Sequence, residues 1–426
     1  MKRIIICADG TWDTPDQIDT DKQSAAREKH ESAGEAPARD TAKPLFKGAI
    51  REPSNVVKMA RAIKPVASNP AGTQQVVFYN RGVGTGLGLL DKFIGGGFGL
   101  GLSRNVLDGY QFLVNNYEEG DEIFLFGFSR GAFTVRSLAG MIQRCGLLAK
   151  MDAYYIPEAY EHYTLPVYSD TEIEEMVERV PRWLPAGMRR KRQERLRAQY
   201  KETSRVNLQN IELFRQGKGF RRRLLPTRPV TIKFIGAWDT VGALGVPLHG
   251  PLARWINRKD TFHNVQLGDR VEHARHALAI DEWREPFEAT LWRPAGPLPA
   301  GHSLRQVWFA GAHSNVGGGL HADRLEDPAR PGKLRSYRLE NYAFRWMVEQ
   351  AAEVGLECDF EHYVRFYEAR PECTIRNTLT GIYLLWGKHL RPIGETEFGN
   401  EDIHPSVRER MQLGYLPDNL KKYLER

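Results

Sequence analysis

Cysteine is scarce in this chain, and what there is lies scattered. Cys7, Cys145, Cys358 and Cys373 are the only four in 426 residues, and no two form a C-x-x-C pair. That excludes a disulfide framework and a cysteine-based zinc site. Cys7 and Cys145 stand among apolar neighbours and read as buried thiols. Long apolar runs are missing too: none reaches the ~20 residues that a membrane-spanning helix needs. The first run, Ile4 to Ala8, is too short for the core of a signal peptide and leads straight into Asp9-Gly10-Thr11. The expectation is synthesis in the cytoplasm, with any export by a route independent of a cleaved leader. Excess charge is modest as well. A formal net charge of +7 favours anionic surfaces such as phospholipid head groups, without pointing to nucleic acid. No base-stacking module or recognition-helix motif accompanies it. Internal repeats are absent.

Two phosphate-handling signatures also fail. Gly82-Val83-Gly84-Thr85-Gly86-Leu87-Gly88 does not fit G-x-G-x-x-G, and no Gly-Lys-Ser/Thr follows. The glycine-rich stretch from Gly82 to Gly101 reads instead as a flexible wall or packed loop. Asp9-Gly10-Thr11 resembles the end of a D-x-D-G-T phosphatase motif, but Cys7 occupies the nucleophile's place.

What is present is Glu122-Ile123-Phe124-Leu125-Phe126-Gly127-Phe128-Ser129-Arg130-Gly131-Ala132. A four-residue apolar run leads into G-x-S-x-G. Beyond it, Ala132, Val135, Leu138, Ala139 and Ile142 recur at helical spacing. A serine between such a strand and such a helix sits on a tight turn with its hydroxyl exposed above the sheet. There it can attack an ester carbonyl while the Arg130 N–H faces the developing oxyanion.

Two more strand-like runs end in residues that complete this chemistry. Val230 to Ala237 leads into Trp238-Asp239-Thr240, and Val307 to Ala310 into Gly311-Ala312-His313. The order Ser129, Asp239, His313 is that of α/β-hydrolases. Ser129 would attack, His313 would carry the proton, and Asp239 would hold the imidazole tautomer. Competing histidines are His273, His276, His302 and His321, none directly after a strand-like run. The competing acid is Asp281, whose apolar neighbours suggest a helix in which Asp281, Glu282 and Arg284 make structural ion pairs. The second oxyanion donor is expected in the loop after the first strand, from the Gly10 or Thr11 N–H, unless Asp9 and Thr11 only cap a turn.

The remaining pattern predicts an α/β fold of the α/β-hydrolase kind, with a mostly parallel central sheet flanked by helices, in a single domain over residues 1–426. Residues 19–43 read as a mobile polar loop. Asn55 to Ala62 reads as a helix capped by Ser54. Residues 153–229 have no clear strand and carry Met188-Arg189-Arg190-Lys191-Arg192 and Phe220-Arg221-Arg222-Arg223. They read as a basic helical insertion: a cap or lid over the site that meets anionic head groups, or a plain solvated face. Leu339 to Val354 has helical periodicity, and the C-terminal stretch reads as helices and loops.

With these pieces together, the chain resembles the DUF2235 family of α/β-hydrolase domains, which includes the type 1 lipase effectors of the bacterial type VI secretion system. The motifs that carry the resemblance are D-G-T-W at Asp9–Trp12, G-V-G-T at Gly82–Thr85, G-F-S-R-G-A at Gly127–Ala132 and W-D-T-V-G at Trp238–Gly242. H-A-L-A-I-D-E at His276–Glu282, A-H-S-N-V-G-G-G at Ala312–Gly319 and H-P-S-V at His404–Val407 extend it over nearly the whole chain. The resemblance implies a Ser-Asp-His lipid esterase of phospholipase type, with its site at Ser129, Asp239 and His313. It needs no metal or organic cofactor. Its partners would be a lipid or other ester, an anionic membrane surface, and a secretion-apparatus or immunity protein. Alternatives are an esterase or thioesterase for small soluble substrates, and a non-catalytic binding scaffold. One departure stands out: the family's last motif more often reads H-x-D-V-G-G-G, and here Asn315 replaces that aspartate.

Overall fold

The computed structural model describes residues 1–10, 18–19, 49–50, 52–82, 97–218, 224–241, 266–294, 296–380, 384, 387–396 and 400–426. Its frame is a seven-stranded sheet built from β1 (Arg3–Ala8), β2 (Gln75–Asn80), β3 (Glu122–Phe128), β4 (Ile232–Trp238), β5 (Val271–Ala279), β6 (Ser303–Phe309) and β7 (Glu401–Ile403). The order across the sheet is β7-β6-β5-β4-β3-β1-β2. Every neighbouring pair is parallel.

A parallel sheet must be covered on both faces, and the alternation along its strands supplies two cores. Ile4, Ile6, Ile123 and Leu125 face one side, where α2 (Gly97–Asn116) and α3 (Arg130–Cys145) pack through Val106, Tyr110, Val135 and Leu138. Ile5, Cys7, Phe124, Phe126 and Phe234 face the other, against α1 (Asn55–Ala62) and α8 (Glu340–Ala352) through Val56, Met59, Phe344 and Met347. All four cysteines are free and buried.

The polar insertion is helical. It holds α4 (Ile156–Thr164), α5 (Asp170–Glu178) and the 30-residue α6 (Ala186–Arg215). Ile156, Ala159, Tyr163 and Phe214 join the core beside Cys145, Leu147 and Leu148. Arg144, in the last turn of α3, donates to the Tyr163 and Leu165 carbonyls at 3.0 and 2.8 Å. This anchor stands a helix length from Ser129, roughly 24 Å at the usual rise per residue. A second attachment joins Tyr160 to Ser103 on α2, their hydroxyls 2.8 Å apart. The second basic cluster, at 220–223, and the polar loop at 20–43 lie outside the described residues.

Three readings of the sequence change. The His276–Glu282 stretch is not helical: His276 to Ala279 are the end of β5, and a turn follows. Its buried polar residues disguise it, because their partners come from distant strands and helices; Arg275, for example, donates to Gln350 Oε1 at 2.6 Å. The C-terminal stretch adds an edge strand, β7, three residues long and too short to leave a pattern. The glycine-rich stretch ends inside α2, which starts at Gly97.

Candidate active site

The sheet order reverses between β1 and β3. In open parallel sheets, the crevice outside the strands' C-terminal ends at that point is where ligands bind. Asp9 and Gly10 follow β1 there, and Ser129 follows β3.

Ser129 is held at φ 57°, in the left-handed region that non-glycine residues avoid. Its N–H donates to the Trp238 carbonyl at 3.0 Å, which ties the turn to β4. The two motif glycines are required by contact. A Cβ on Gly127 would meet the Gly131 carbonyl oxygen at 2.4 Å, and one on Gly131 would meet the Ala8 carbonyl oxygen at 2.0 Å. α3 begins at Arg130, so its first N–H groups open toward the serine's side of the helix end.

Asp239 also has a positive φ, 40°. It follows β4, whose neighbour in the sheet is β5. His313 opens α7 (His313–Gly317), just beyond β6. Across these three loops the side chains meet. His313 Nδ1 stands 2.6 Å from Asp239 Oδ2, and His313 Nε2 stands 2.8 Å from Ser129 Oγ. A carboxylate only accepts, so Nδ1 carries the proton and Nε2 is left to accept from the serine hydroxyl. The imidazole is walled by Phe128 and Phe287, with ring centroids at 4.6 and 5.3 Å. Ser129 is 8% exposed, His313 6% and Asp239 0%, so the chain of bonds is shielded from bulk water.

Asp239 is more heavily bonded than its motif suggests. Oδ1 accepts from the Ala279 N–H at 3.0 Å and from Arg391 Nη1 at 2.6 Å; Oδ2 accepts from Arg391 Nη2 at 3.1 Å as well as from His313. Burial opposes ionisation of the carboxyl, but the charge of Arg391 and the bonds from His313 and Arg391 outweigh it. Asp239 is therefore held well below the usual carboxylate range. Arg391 was not legible in the sequence: it lies 152 positions from Asp239, in a stretch without periodicity.

The competing residues have other work. Asp281 accepts from the Gly311 N–H at 2.7 Å and from the Tyr415 hydroxyl at 2.7 Å, and so fixes the turn that leads to His313. Glu282 pairs with Arg284 at 2.7 Å, as expected, and accepts from the His313 N–H at 3.3 Å. His276 Nε2 accepts from the Thr240 N–H at 3.0 Å, and burial pushes this imidazole down to about 3, so it stays neutral and braces the Asp239 loop. His273 lies in β5, with Nδ1 3.0 Å from Ser303 Oγ. His302 precedes β6, and His321 lies beyond α7.

The loop after β1 stands beside the serine: a Cβ on Gly10 would lie 3.4 Å from Ser129 Cβ. The Gly10 N–H, however, donates to Asp9 Oδ1 at 2.8 Å. In this state it is engaged, as in the reading in which Asp9 caps the turn. Asp9 Oδ2 accepts from Ser54 Oγ at 2.6 Å and from the Tyr79 hydroxyl at 2.8 Å. Burial pushes the Asp9 carboxyl up to about 6 against the pull of these three bonds. Ser54 also accepts from the Val57 N–H at 3.2 Å, so one hydroxyl caps α1, as expected, and anchors Asp9. Thr11 lies outside the described residues.

The profile of the type VI secretion phospholipase effector Tle1-like catalytic domain matches residues 2–350. This chain belongs to that family. Among curated proteins, the uncharacterized protein YEL023C of Saccharomyces cerevisiae is 26% identical over 264 residues, which cover 59% of this chain and 32% of that protein. The chain thus spans about a third of that relative's length. Two solved structures are similar. One, an uncharacterized protein from Pseudomonas aeruginosa, has 14% identity and a TM-score of 0.40, covering 86% of this chain and 49% of the other. The other is the Tle1 effector bound to the VgrG spike of the type 6 secretion system, with 17% identity and a TM-score of 0.33, covering 77% and 52%.

Asn315 uses both ends of its amide. Oδ1 accepts from the Ala312 and Arg376 N–H groups at 3.2 and 2.9 Å, and Nδ2 donates to the Thr374 carbonyl at 3.1 Å. An aspartate could not make the last bond. Among the described residues, no helix is long and apolar enough to cross a membrane.

Proposed function

We propose that this chain is a serine hydrolase that cleaves the carboxylic esters of phospholipids. The observation that carries the reading is the bonded series Ser129–His313–Asp239 at the point where the sheet order reverses. Membership of a phospholipase effector family supports the substrate class.

In this reading Ser129 Oγ attacks the ester carbonyl carbon as His313 Nε2 takes the hydroxyl proton. Asp239 stabilises the imidazolium. The carbonyl oxygen becomes an oxyanion and accepts from the Arg130 N–H, with the Gly10 or Thr11 N–H as the second donor. The intermediate collapses, His313 returns the proton to the leaving alcohol, and an acyl-serine remains. Water, deprotonated by His313, then releases the fatty acid and restores Ser129.

The insertion is the membrane-facing element in this proposal. Trp183 and Met188 are 82% and 59% exposed where α5 passes into α6, and Lys191, Arg192 and Arg195 are exposed beside them. An aromatic ring and a thioether set among cations suit the interface of an anionic bilayer. Part of the charge on α6 is already paired, as in Arg197–Glu174 and Arg205–Glu202, so the bilayer contact is assigned to this tip. Membership of a type VI effector family supports delivery by such an apparatus.

The test is release of fatty acid from phosphatidylglycerol vesicles. Wild-type protein is expected to turn over and Ser129→Ala to be inactive with an unchanged melting curve. Retained turnover in folded Ser129→Ala refutes the reading.

A further inference from the structure

Arg391 is a fully buried cation in a region that the family match, ending at residue 350, does not reach. Burying a guanidinium is costly unless its donors and charge are met; here the charge and both Nη groups are met at the site, while Nε–H has no partner among the described residues. Nη1 donates to Asp239 Oδ1 at 2.6 Å and to the Ala279 carbonyl at 2.8 Å. Nη2 donates to Asp239 Oδ2 at 3.1 Å and to the Phe287 carbonyl. One planar fork therefore joins the carboxylate, the end of β5, and the residue whose ring packs on His313.

The C-terminal segment holds the fork from behind. Asn419, in α10 (Asp418–Leu424), donates to the Arg391 and Ile280 carbonyls at 3.2 and 3.1 Å. Ile393 packs with Trp308 of β6 and with Val407 of α9 (Pro405–Met411). A carboxylate has about four lone-pair sites, and Asp239 fills them with Ala279, His313 and both ends of Arg391. Two of its four bonds therefore come from outside the matched region.

We propose that Arg391 is a positioning residue of this site: it clamps the plane of the Asp239 carboxylate against His313 and, by sharing its negative charge, sets the pH at which Ser129 becomes reactive. The inference rests on the serine-hydrolase reading. Sharing makes Asp239 a weaker acceptor and so a weaker stabiliser of the imidazolium. The positive charge of Arg391 thus favours the neutral imidazole that Ser129 needs as its base. The other charged groups facing this cluster are Glu282 with Arg284, Glu288 with His389, His276 from β5, and Arg136 from α3. Asp9 lies on the other side of Ser129. None of these groups is itself altered when only residue 391 is changed.

Arg391→Gln removes charge and fork together. Arg391→Lys keeps the charge but, as a point donor, cannot bridge two carboxylate oxygens and two carbonyls. The first readout is the rate of Ser129 labelling by a fluorophosphonate against pH, with kcat and KM on a soluble ester. Arg391→Gln is expected to move the acid limb up by about 1 unit or more, the scale of one adjacent charge, and to lower kcat with KM unchanged. Arg391→Lys is expected to lower kcat but leave the acid limb at its wild-type place. The second readout needs no turnover: the low-field proton resonance of His313 Nδ1–H. It should move further downfield in Arg391→Gln, where Asp239 is no longer shared.

A folded Arg391→Gln with both the acid limb and the resonance unchanged overturns the proposal. Should wild-type protein not be labelled at any pH, the hydrolase reading fails, and the resonance still decides whether Arg391 shares the carboxylate. Should Arg391→Gln not fold, the double variant with Asp239→Asn decides. Restored folding supports a clamp whose partner is the carboxylate, and continued failure overturns it.

Discussion

Asp9 combines a buried carboxylate with the loop that borders Ser129. Its carboxyl is raised from 3.8 to about 6. A rise of about 2 units corresponds to about 3 kcal/mol between the ionised and neutral forms. The folded state binds this proton more tightly than the unfolded chain does. The cost of the charge is therefore fully present above about pH 6 and disappears as the pH falls toward 4. Asn is a neutral replacement that retains an oxygen for the Gly10 N–H, and its amide can donate to Ser54 Oγ. The comparison is between wild-type and Asp9→Asn, by urea unfolding at several pH values from 4 to 8. Asp9→Asn is expected to gain on wild-type as the pH rises through 6, by up to about 3 kcal/mol across the range. A stability difference that stays constant with pH refutes the argument, because it would mean that the carboxylate carries its charge at no net cost.

Asn315→Asp exchanges this amide for a carboxylate. It places a carboxylate oxygen against the Thr374 carbonyl, now 3.1 Å from an amide donor, and should cost about 1–3 kcal/mol in urea unfolding, the range for an unsatisfied buried group. No loss of stability counts against the amide orientation. Lys191→Ala with Arg192→Ala removes two exposed charges from the tip of the insertion. At about 1 kcal/mol per basic residue near an anionic surface, binding to phosphatidylglycerol vesicles should weaken roughly 30-fold. Binding to phosphatidylcholine vesicles should change little. Equal loss on both vesicles, or on neither, places the membrane contact elsewhere.

How much of the site could be read in advance follows from which interactions are local. Ser129, Asp239 and His313 each come directly after an apolar run, and in a parallel sheet such runs end on one edge, so their convergence is already written in the pattern. Arg391 has no such marker. Its role arises from long-range packing of the C-terminal segment, and nothing around it distinguishes a buried arginine from an exposed one. The misreading of His276–Glu282 has the same origin. His276 and Arg275 are polar residues inside a strand, made tolerable by Gln306, Gln350 and Ser303 from other elements, so the alternation of a buried strand is hidden. β7 fails for the opposite reason, being too short to leave a signal. In the sequence, Asp281 competes with Asp239 as the acid. Only the bonds to Gly311 and Tyr415 reveal that it supports the histidine loop instead.

The central claim is that Ser129 is an activated nucleophile with His313 as its base. It is tested most directly by fluorophosphonate labelling read by intact mass, on wild-type protein, Ser129→Ala and His313→Ala. The account predicts one adduct on wild-type, none on Ser129→Ala, and labelling of His313→Ala slowed by at least about 100-fold, the scale of a lost general base. Labelling of folded His313→Ala at the wild-type rate, or of Ser129→Ala at all, would contradict it.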